Sequence, residues 1–399
     1  MAYTEEDVFS YVEQEDVRFI RLCFSDIRGH RKNISILPGE LRRAFRDGIS
    51  FDASAVYGFG DESRSDLLLF PDPATLCPMP WRPSHGRVVR MLCDIRHPDG
   101  TPALCDGRRI LRDTVARAAA AGLTVRVGAE YEFYLFRTDE NGDPTAEPMD
   151  RAGYMDTAPL DRGENLRREI CMALFDMGII PESSHHEEGP GQNEIDFRYR
   201  DPLGAADDAM TFRTAVAAIA GQNGFYADFS PKPLPGESGN GFHINLSVSS
   251  EDGRDVSGAF LAGILTHIRS LTAALDPTEA SYRRLGEHKA PRYVAYSDEN
   301  RSALVRLPAA KGEYRRMEVR SPDPTANPYI AYALLIAAGL DGVEKNLVPP
   351  PPVRENLFTA AESTLQGLSE LPASLAEARE LFVASPLVRS VLGAAADLI

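Results

Sequence analysis

Short apolar runs broken by charged residues fill the first hundred positions, and a mixture of helical and strand periods follows. Helical spacing at Glu5–Glu13 predicts an opening helix. In VRFIRLCFSDIRGHRKNISI, β-rich runs flank Asp26-Ile27-Arg28-Gly29, which predicts a hairpin turn. Further strands are expected at Asp66–Phe70 and Arg87–Asp94, before a turn at Pro98-Asp99-Gly100-Thr101-Pro102. Beyond Arg108 the pattern predicts a helix at Ile110–Ala121, a strand at Thr124–Phe136 and an amphipathic helix at Glu164–Met177. His/Glu-rich, strand-like stretches come next, then a buried helix at Tyr329–Ala338, a polyproline connector at Pro349–Pro352 and a helix around Ser374–Val383. The order is α+β rather than repeated βαβ, and a boundary near Gly107 is expected to separate a small domain, 1–106, from a larger one, 107–399.

Composition narrows the function classes. A formal charge of -16 without any Lys/Arg block argues against nucleic-acid or anionic-membrane partners, which such a chain would repel at long range. The N-terminal MAYTEEDVFS has neither a basic nor an apolar leader pattern, and no stretch reads as ~20 apolar residues, the length of a membrane span, so a cytoplasmic protein is expected. The five cysteines, Cys23, Cys77, Cys93, Cys105 and Cys171, are scattered without a CxxC pair and read as reduced packing residues.

The candidate chemistry lies in charged residues at strand period. In GAEYEFYLF, Glu130 and Glu132 share one strand face, roughly 7 Å apart, while Tyr131 and Phe133 take the other. Two acids on one face repel unless solvated or neutralised, so the segment is either a solvent-facing strand or a set of oxygen ligands for hard divalent cations. Glu182, His185, His186, Glu187 and Glu194 crowd around Gly189-Pro190-Gly191, as a polar hairpin also would. His243 and Asn245 share a face after two glycines, although a lone histidine there is more often structural. Arg316, Glu318 and Arg320 alternate with Met317 and Val319, which an exposed, salt-bridged strand would also do. Taken together, these segments favour one site with two or three cations, and Arg284, Arg301, Arg306, Arg316 and Arg320 suit phosphates and carboxylates. That combination suggests phosphoryl transfer; no GxxxxGK[ST] loop and no GxGxxG after a strand is present.

The segments SFDASAVYGF, SDLLLFPDP, CDIRHPDGTP, GAEYEFYLF, HHEEGPGQNEIDF, SPKPLPGESGNGFHINLS, NRSALVRLP and EYRRMEVRSPDPTANPYIAYALLIAAGLDG, in this order, resemble glutamine synthetase of the bacterial class I type, in its shorter form. The resemblance implies a β-grasp-like N-terminal domain, a catalytic domain on a curved antiparallel sheet, and a homo-oligomeric ring, hexamer or dodecamer, with active sites between neighbours. It further implies that Glu132, Glu187 and Glu194 hold one Mg²⁺ or Mn²⁺ and Glu130, His243 and Glu318 another. Glu182, Asn245, Ser247 and Arg316 match nucleotide-side positions, Gly239, Arg284 and Arg320 the glutamate grip, and Arg301 and Arg306 the transferred phosphate. The implied reaction makes γ-glutamyl phosphate from ATP and glutamate, and an amine then displaces the phosphate.

The sequence also departs from the family pattern. The family's flap carries a glutamate before Ala-Pro, where RRLGEHKAPRY has Lys289. A cation there repels ammonium and accommodates an amine carrying an anionic group. Glu287 is a candidate replacement, and Asp52 with nearby Asp66 matches the acid supplied by the neighbouring subunit. Phe358 stands where some relatives adenylylate a tyrosine, and Ala280 replaces an asparagine. The expected function is γ-glutamyl amide formation on a small amine; glutamine synthetase proper, a noncatalytic ring-forming relative and a guanidino kinase are the alternatives.

Overall fold

The computed structural model describes residues 3–82, 85–309 and 315–399. Helix α1 (Glu5–Gln14) starts at Thr4, whose hydroxyl accepts from Asp7 N–H while the Asp7 carboxylate accepts from Thr4 N–H, and it buries Val8 and Val12. Strands β1 (Val17–Ser25) and β2 (Arg31–Ile36) form the expected hairpin; its turn closes with Gly29 N–H donating to Asp26 O at 2.9 Å, and Gly29 sits at φ +83°, which a glycine tolerates without strain. After α2 (Leu41–Asp47) come β3 (Ile49–Asp52), β4 (Asp66–Pro71), β5 (Cys77–Pro78) and β6 (Arg87–Arg96). The sheet order is β2-β1-β6-β4-β3 with β5 on β6, and β1 and β6 run parallel.

Helix α3 (Gly107–Ala120) is capped by Asp106, whose carboxylate accepts from Arg108 N–H and Arg109 N–H and also from Ile95 N–H at 3.1 Å, tying the helix to β6. Arg108 reaches Asp72, Asp94 and Asp207, at 2.9, 3.1 and 2.9 Å, and so fastens the first sheet to the rest of the chain.

The second sheet contains β7 (Leu123–Thr138), β8 (Pro144–Pro148), β9 (Pro181–His186), β10 (Gln192–Arg200), β11 (Phe225–Asp228), β12 (Phe242–Ser250), β13 (Tyr296–Asp298), β14 (Val305–Leu307) and β15 (Met317–Val319). Its order is β13-β14-β15-β12-β7-β10-β9, with β8 and β11 also on β7. One face is dry: Tyr131 stacks on Phe242 at 4.3 Å and Phe212 at 5.2 Å between ring centroids, and the opposite face carries Glu130 and Glu132. The helices are α4 (Glu164–Asp176), α5 (Pro202–Gln222), α6 (Ser257–Leu275), α7 (Ser281–Arg284), α8 (Pro328–Glu344), α9 (Glu362–Leu365), α10 (Leu375–Ala384) and α11 (Pro386–Leu392). Helices α6 and α8 cross so closely that a Cβ on Gly263 would lie 2.1 Å from Ala338 O.

One expectation is corrected here. Helix α6, with 19 residues, is long and apolar enough to cross a membrane by length and composition. Its apolarity serves core packing instead, since Phe260, Ile264, Leu265, Ile268 and Leu271 are buried and the helix packs mainly against α8 and α10.

Candidate active site on the polar face of the second sheet

Register assembles the site. Glu194 on β10 faces Glu132 on β7, and Asp196 faces Glu130. On the other flank of β7, His243 of β12 also faces Glu130; beyond it, Asn245 and Arg306 both face Glu318 of β15. His185 of β9 faces Glu194. Directly paired residues share a sheet face, so every one of these polar side chains converges on the side away from Tyr131.

The distances are short. His243 Nδ1 lies 3.2 Å from Glu130 Oε2 and 3.8 Å from Glu318 Oε1, and its Nε2 lies 3.9 Å from Glu132 Oε1. His185 Nε2 is 3.1 Å from Glu187 Oε1 and 3.9 Å from Glu194 Oε1. Glu130–His243–Glu318, Glu132–Glu194–His243, His185–Glu187–Glu194 and Glu130–Glu194–Asp196 each offer ligand atoms lying within 4.8 Å of one another.

Burial and mutual repulsion set the charges. Glu194 is pushed well above the ordinary carboxylate range by burial and then by Asp196, Glu132, Glu130 and Glu187. Asp196 rises to about 7 through burial and the Glu130 charge, and Glu132 rises through burial, which His243 opposes. Burial also pushes Glu130 and Glu187 up, but His243 and Asn245 outweigh it at Glu130, and His185 and Glu188 N–H outweigh it at Glu187, so both are lowered. Carboxylates whose ionisation is opposed by burial and by one another fit divalent cations, which would relieve that repulsion. Glu130, Glu132, Glu187, Glu194, His243 and Glu318 are placed to hold them, with His185 and Asp196 beside them.

Arginines form the opposite wall. Glu318 is fully buried and ion-pairs with Arg306 and Arg320, whose Nε atoms are nonetheless buried without a hydrogen-bond partner among the described residues. Arg284 is locked by donation to Ser321 O at 2.6 Å and Arg320 O at 3.3 Å. With Arg301 and Arg316 they line a cavity of about 500 Å³ that contains the carboxylates, Gly239 and Lys289. Orphaned guanidinium donors beside an acid cluster suit an anion with several oxygens. Arg316 donates to Asn245 Oδ1 at 3.0 Å and also borders a second cavity, of about 830 Å³, lined by Ser247, Arg126 and Tyr199.

Not every nominated residue arrives there. Glu182 sits at the β-bulge where the β9–β10 pairing steps from Ser183–Asp196 to Pro181–Phe197 and skips it; it is exposed, 3.9 Å from Arg198, and outside both cavities. Asp52 and Asp66 face each other on β3 and β4, exposed and outside the cavity of this chain. Glu287 turns to Lys232 at 3.0 Å and does not line the cavity. Lys289 does line it: its ammonium pairs with Glu188 and lies 5.5 Å from the Tyr154 ring centroid, on a loop where His288 and Lys289 have φ of +43° and +67°. Asp196, Gln192, Glu188, Arg126 and Tyr199 were not singled out from sequence. Asp196 had a signal in its alternation with Glu194, whereas Gln192, which donates to Glu132 at 3.2 Å and Gly239 O at 3.1 Å, had none.

Residues 16–98 match the family described as "Glutamine synthetase, beta-Grasp domain" and residues 104–396 that described as "Glutamine synthetase, catalytic domain". Curated relatives named glutamine synthetase include those of Clostridium saccharobutylicum, 43% identical over 98% of this chain and 92% of theirs, and Methanosarcina mazei, 42% identical over 98% and 91%. Among solved structures, GmaS in an ADP complex has a TM-score of 0.90 at 30% identity, covering 98% of this chain and 93% of that one. The Plasmodium falciparum glutamine synthetase has a TM-score of 0.85 at 22% identity, covering 98% and 95%, and shares the fold. With both domains matched and relatives above 40% identity over nearly the whole length, the chain belongs to the glutamine synthetase family of ATP-dependent ligases that form carbon–nitrogen bonds.

Proposed function

We propose that this chain joins glutamate to an amine other than ammonia, giving a γ-glutamyl amide, in the cytoplasm. The observation that carries the choice of acceptor is Lys289, an ammonium at the cavity mouth where the family pattern has a carboxylate. A cation there disfavours ammonium, and an acceptor with an anionic group would compete with Glu188 for it. ATP is assigned to the larger cavity, with Arg316, Ser247 and Asn245 toward its phosphates; a likeness to GmaS in an ADP complex supports a nucleotide as substrate. Arg284, Arg320 and the Gly239 backbone orient glutamate, and Arg301 and Arg306 face the transferred phosphoryl group.

A γ-carboxylate oxygen of glutamate attacks the γ-phosphorus of ATP, the bond to the β–γ bridging oxygen breaks, and ADP leaves. The amine nitrogen then attacks the γ-carbon, loses a proton and expels phosphate. Mg²⁺ or Mn²⁺ at the carboxylates would supply charge neutralisation for the phosphoryl group. The arginines hold the anionic oxygens in place throughout, and such preorganised charge is the main catalytic term for this chemistry. Asp52 and Asp66, exposed on the first sheet, are assigned to the active site of a neighbouring subunit in a ring, where Asp52 would take the proton.

Glutamine synthetase proper is the second reading, favoured by the Lys289–Glu188 pair, which cancels the reversed charge, and by the names of the curated relatives. Phosphate release from Mg²⁺·ATP and glutamate across ammonia, alkylamines, polyamines and amino acids, with product mass recorded, separates the two. Fastest turnover with an organic amine supports the proposal, and fastest turnover with ammonia replaces it with the second reading.

A further inference from the structure

Between the first sheet and α5 lies a small cavity, about 100 Å³, separate from the carboxylate site. Four cations border it, Arg21, Arg31, Lys32 and Arg90, and among the described residues no aspartate or glutamate does, in a chain whose formal charge is -16. None of the four forms an ion pair among the described residues. Arg90 donates to Thr75 O at 3.0 Å and Thr211 Oγ1 at 2.7 Å, and Arg31 donates to Thr214 Oγ1 at 2.6 Å, so both are positioned by neutral acceptors. Arg21 Nε is buried with no hydrogen-bond partner among the described residues. The two acids of α5 that act on Arg90 have other partners: Asp207 is committed to Arg108 at 2.9 Å and to the Tyr329 hydroxyl at 2.7 Å, and Asp208 to Arg200 at 3.0 Å.

Cations gathered without counter-charge at a part-buried place are costly unless something anionic joins them. Packing requires nothing of the kind, because a core seam made of apolar residues would be cheaper. We propose that this cavity is a binding site for a small oxyanion, the head of a carboxylate or a phosphate, held by the guanidiniums of Arg21 and Arg90 and reached past the exposed Arg31 and Lys32. Leu92, Met79 and Trp81 give it room for a short apolar body. The ligand would bridge β1, β6 and α5 and so stiffen the attachment of the first sheet, which makes the site one for an effector rather than for substrate.

Thermal unfolding of the full chain at constant ionic strength tests this with inorganic phosphate and with succinate as separate probes, sodium chloride serving as control. A saturable rise in Tm with at least one probe is expected, and which probe gives it separates the phosphate source from the carboxylate source. The rise should vanish in Arg21→Gln and persist in Arg306→Gln, which removes an active-site guanidinium. Should Arg21→Gln fail to fold, Lys32→Gln at the exposed rim decides, with a weakening of at least threefold expected. A rise equal to that in chloride, one retained in the Arg21 or Lys32 variant, or one lost in Arg306→Gln would overturn the proposal.

Discussion

Lys289 ion-pairs with Glu188 across the mouth of the cavity, joining two residues 101 positions apart in the chain. The contact ties the loop after α7 to the segment that carries Glu187, so the charge presented to an incoming amine belongs to the pair rather than to either residue. Tyr154, under the Lys289 ammonium, completes that lip.

Reversing the lysine therefore tests acceptor choice. Lys289→Glu should lower the KM for ammonium by about tenfold, the effect of ~1–2 kcal/mol from a charge reversal at a half-exposed position. Glu188→Gln, which leaves the ammonium unpaired, should move it the other way. Steady-state kinetics with ammonium and with one organic amine check both; unchanged acceptor preference in both variants would remove Lys289 from the account of specificity.

Glu318 is completely buried between two arginines and beside His243. Glu318→Gln leaves those guanidiniums without a counter-charge, at a cost of about 3–5 kcal/mol. Urea unfolding should show that loss, and activity should fall by orders of magnitude even at temperatures where the variant is folded.

Cation binding should depend on pH. Asp196, at about 7, and Glu194 have folded values raised above the ordinary one. A raised acid keeps its proton in the folded chain through a window, from about 4 to about 7 for Asp196, in which the unfolded chain has lost it. Their contribution to the stability of the cation-free chain is thus present at low pH and lost as pH rises through that window. Divalent cations must displace those protons, so affinity for Mn²⁺ should weaken as pH falls from 7 to 5, by up to about tenfold per pH unit for each proton released. Calorimetric titration with Mn²⁺ at several pH values measures this, and a flat profile would contradict it.

Gly239 has no room for a side chain: an added Cβ would lie 2.4 Å from Pro231 O and 2.9 Å from Arg284 Cγ. Gly239→Ala should displace Arg284 and raise the KM for glutamate by roughly tenfold or more, since misplacement of about 1 Å can cost far more than that. The KM for ATP, whose assigned cavity lies beyond Arg316, should change much less.

Strand period made much of this site legible from sequence, because alternation assigns faces directly: Glu130 with Glu132, His243 with Asn245, and Glu318 with its flanking arginines all share the polar face. That rule fails at Glu182, because a β-bulge between Ser183 and Pro181 breaks the alternation and the sequence carries no periodic sign of it. The Lys289–Glu188 contact carries no periodic signal, being set by a loop with residues in left-handed conformations. Helix α6 was not singled out, although Phe260, Ile264, Ile268 and Leu271 recur at helical spacing on its buried side. The cation-lined cavity required the fold, as its residues come from β1, β2, β6 and α5.

The most direct test of the central claim is a competition in one vessel: ammonia and the best organic amine at equal concentration, with Mg²⁺·ATP and glutamate, and the two products quantified by mass. Their ratio gives the ratio of kcat/KM for the acceptors without further assumptions. The substituted γ-glutamyl amide is expected in excess; glutamine as the major product would contradict the proposed acceptor and make the chain a glutamine synthetase that tolerates Lys289.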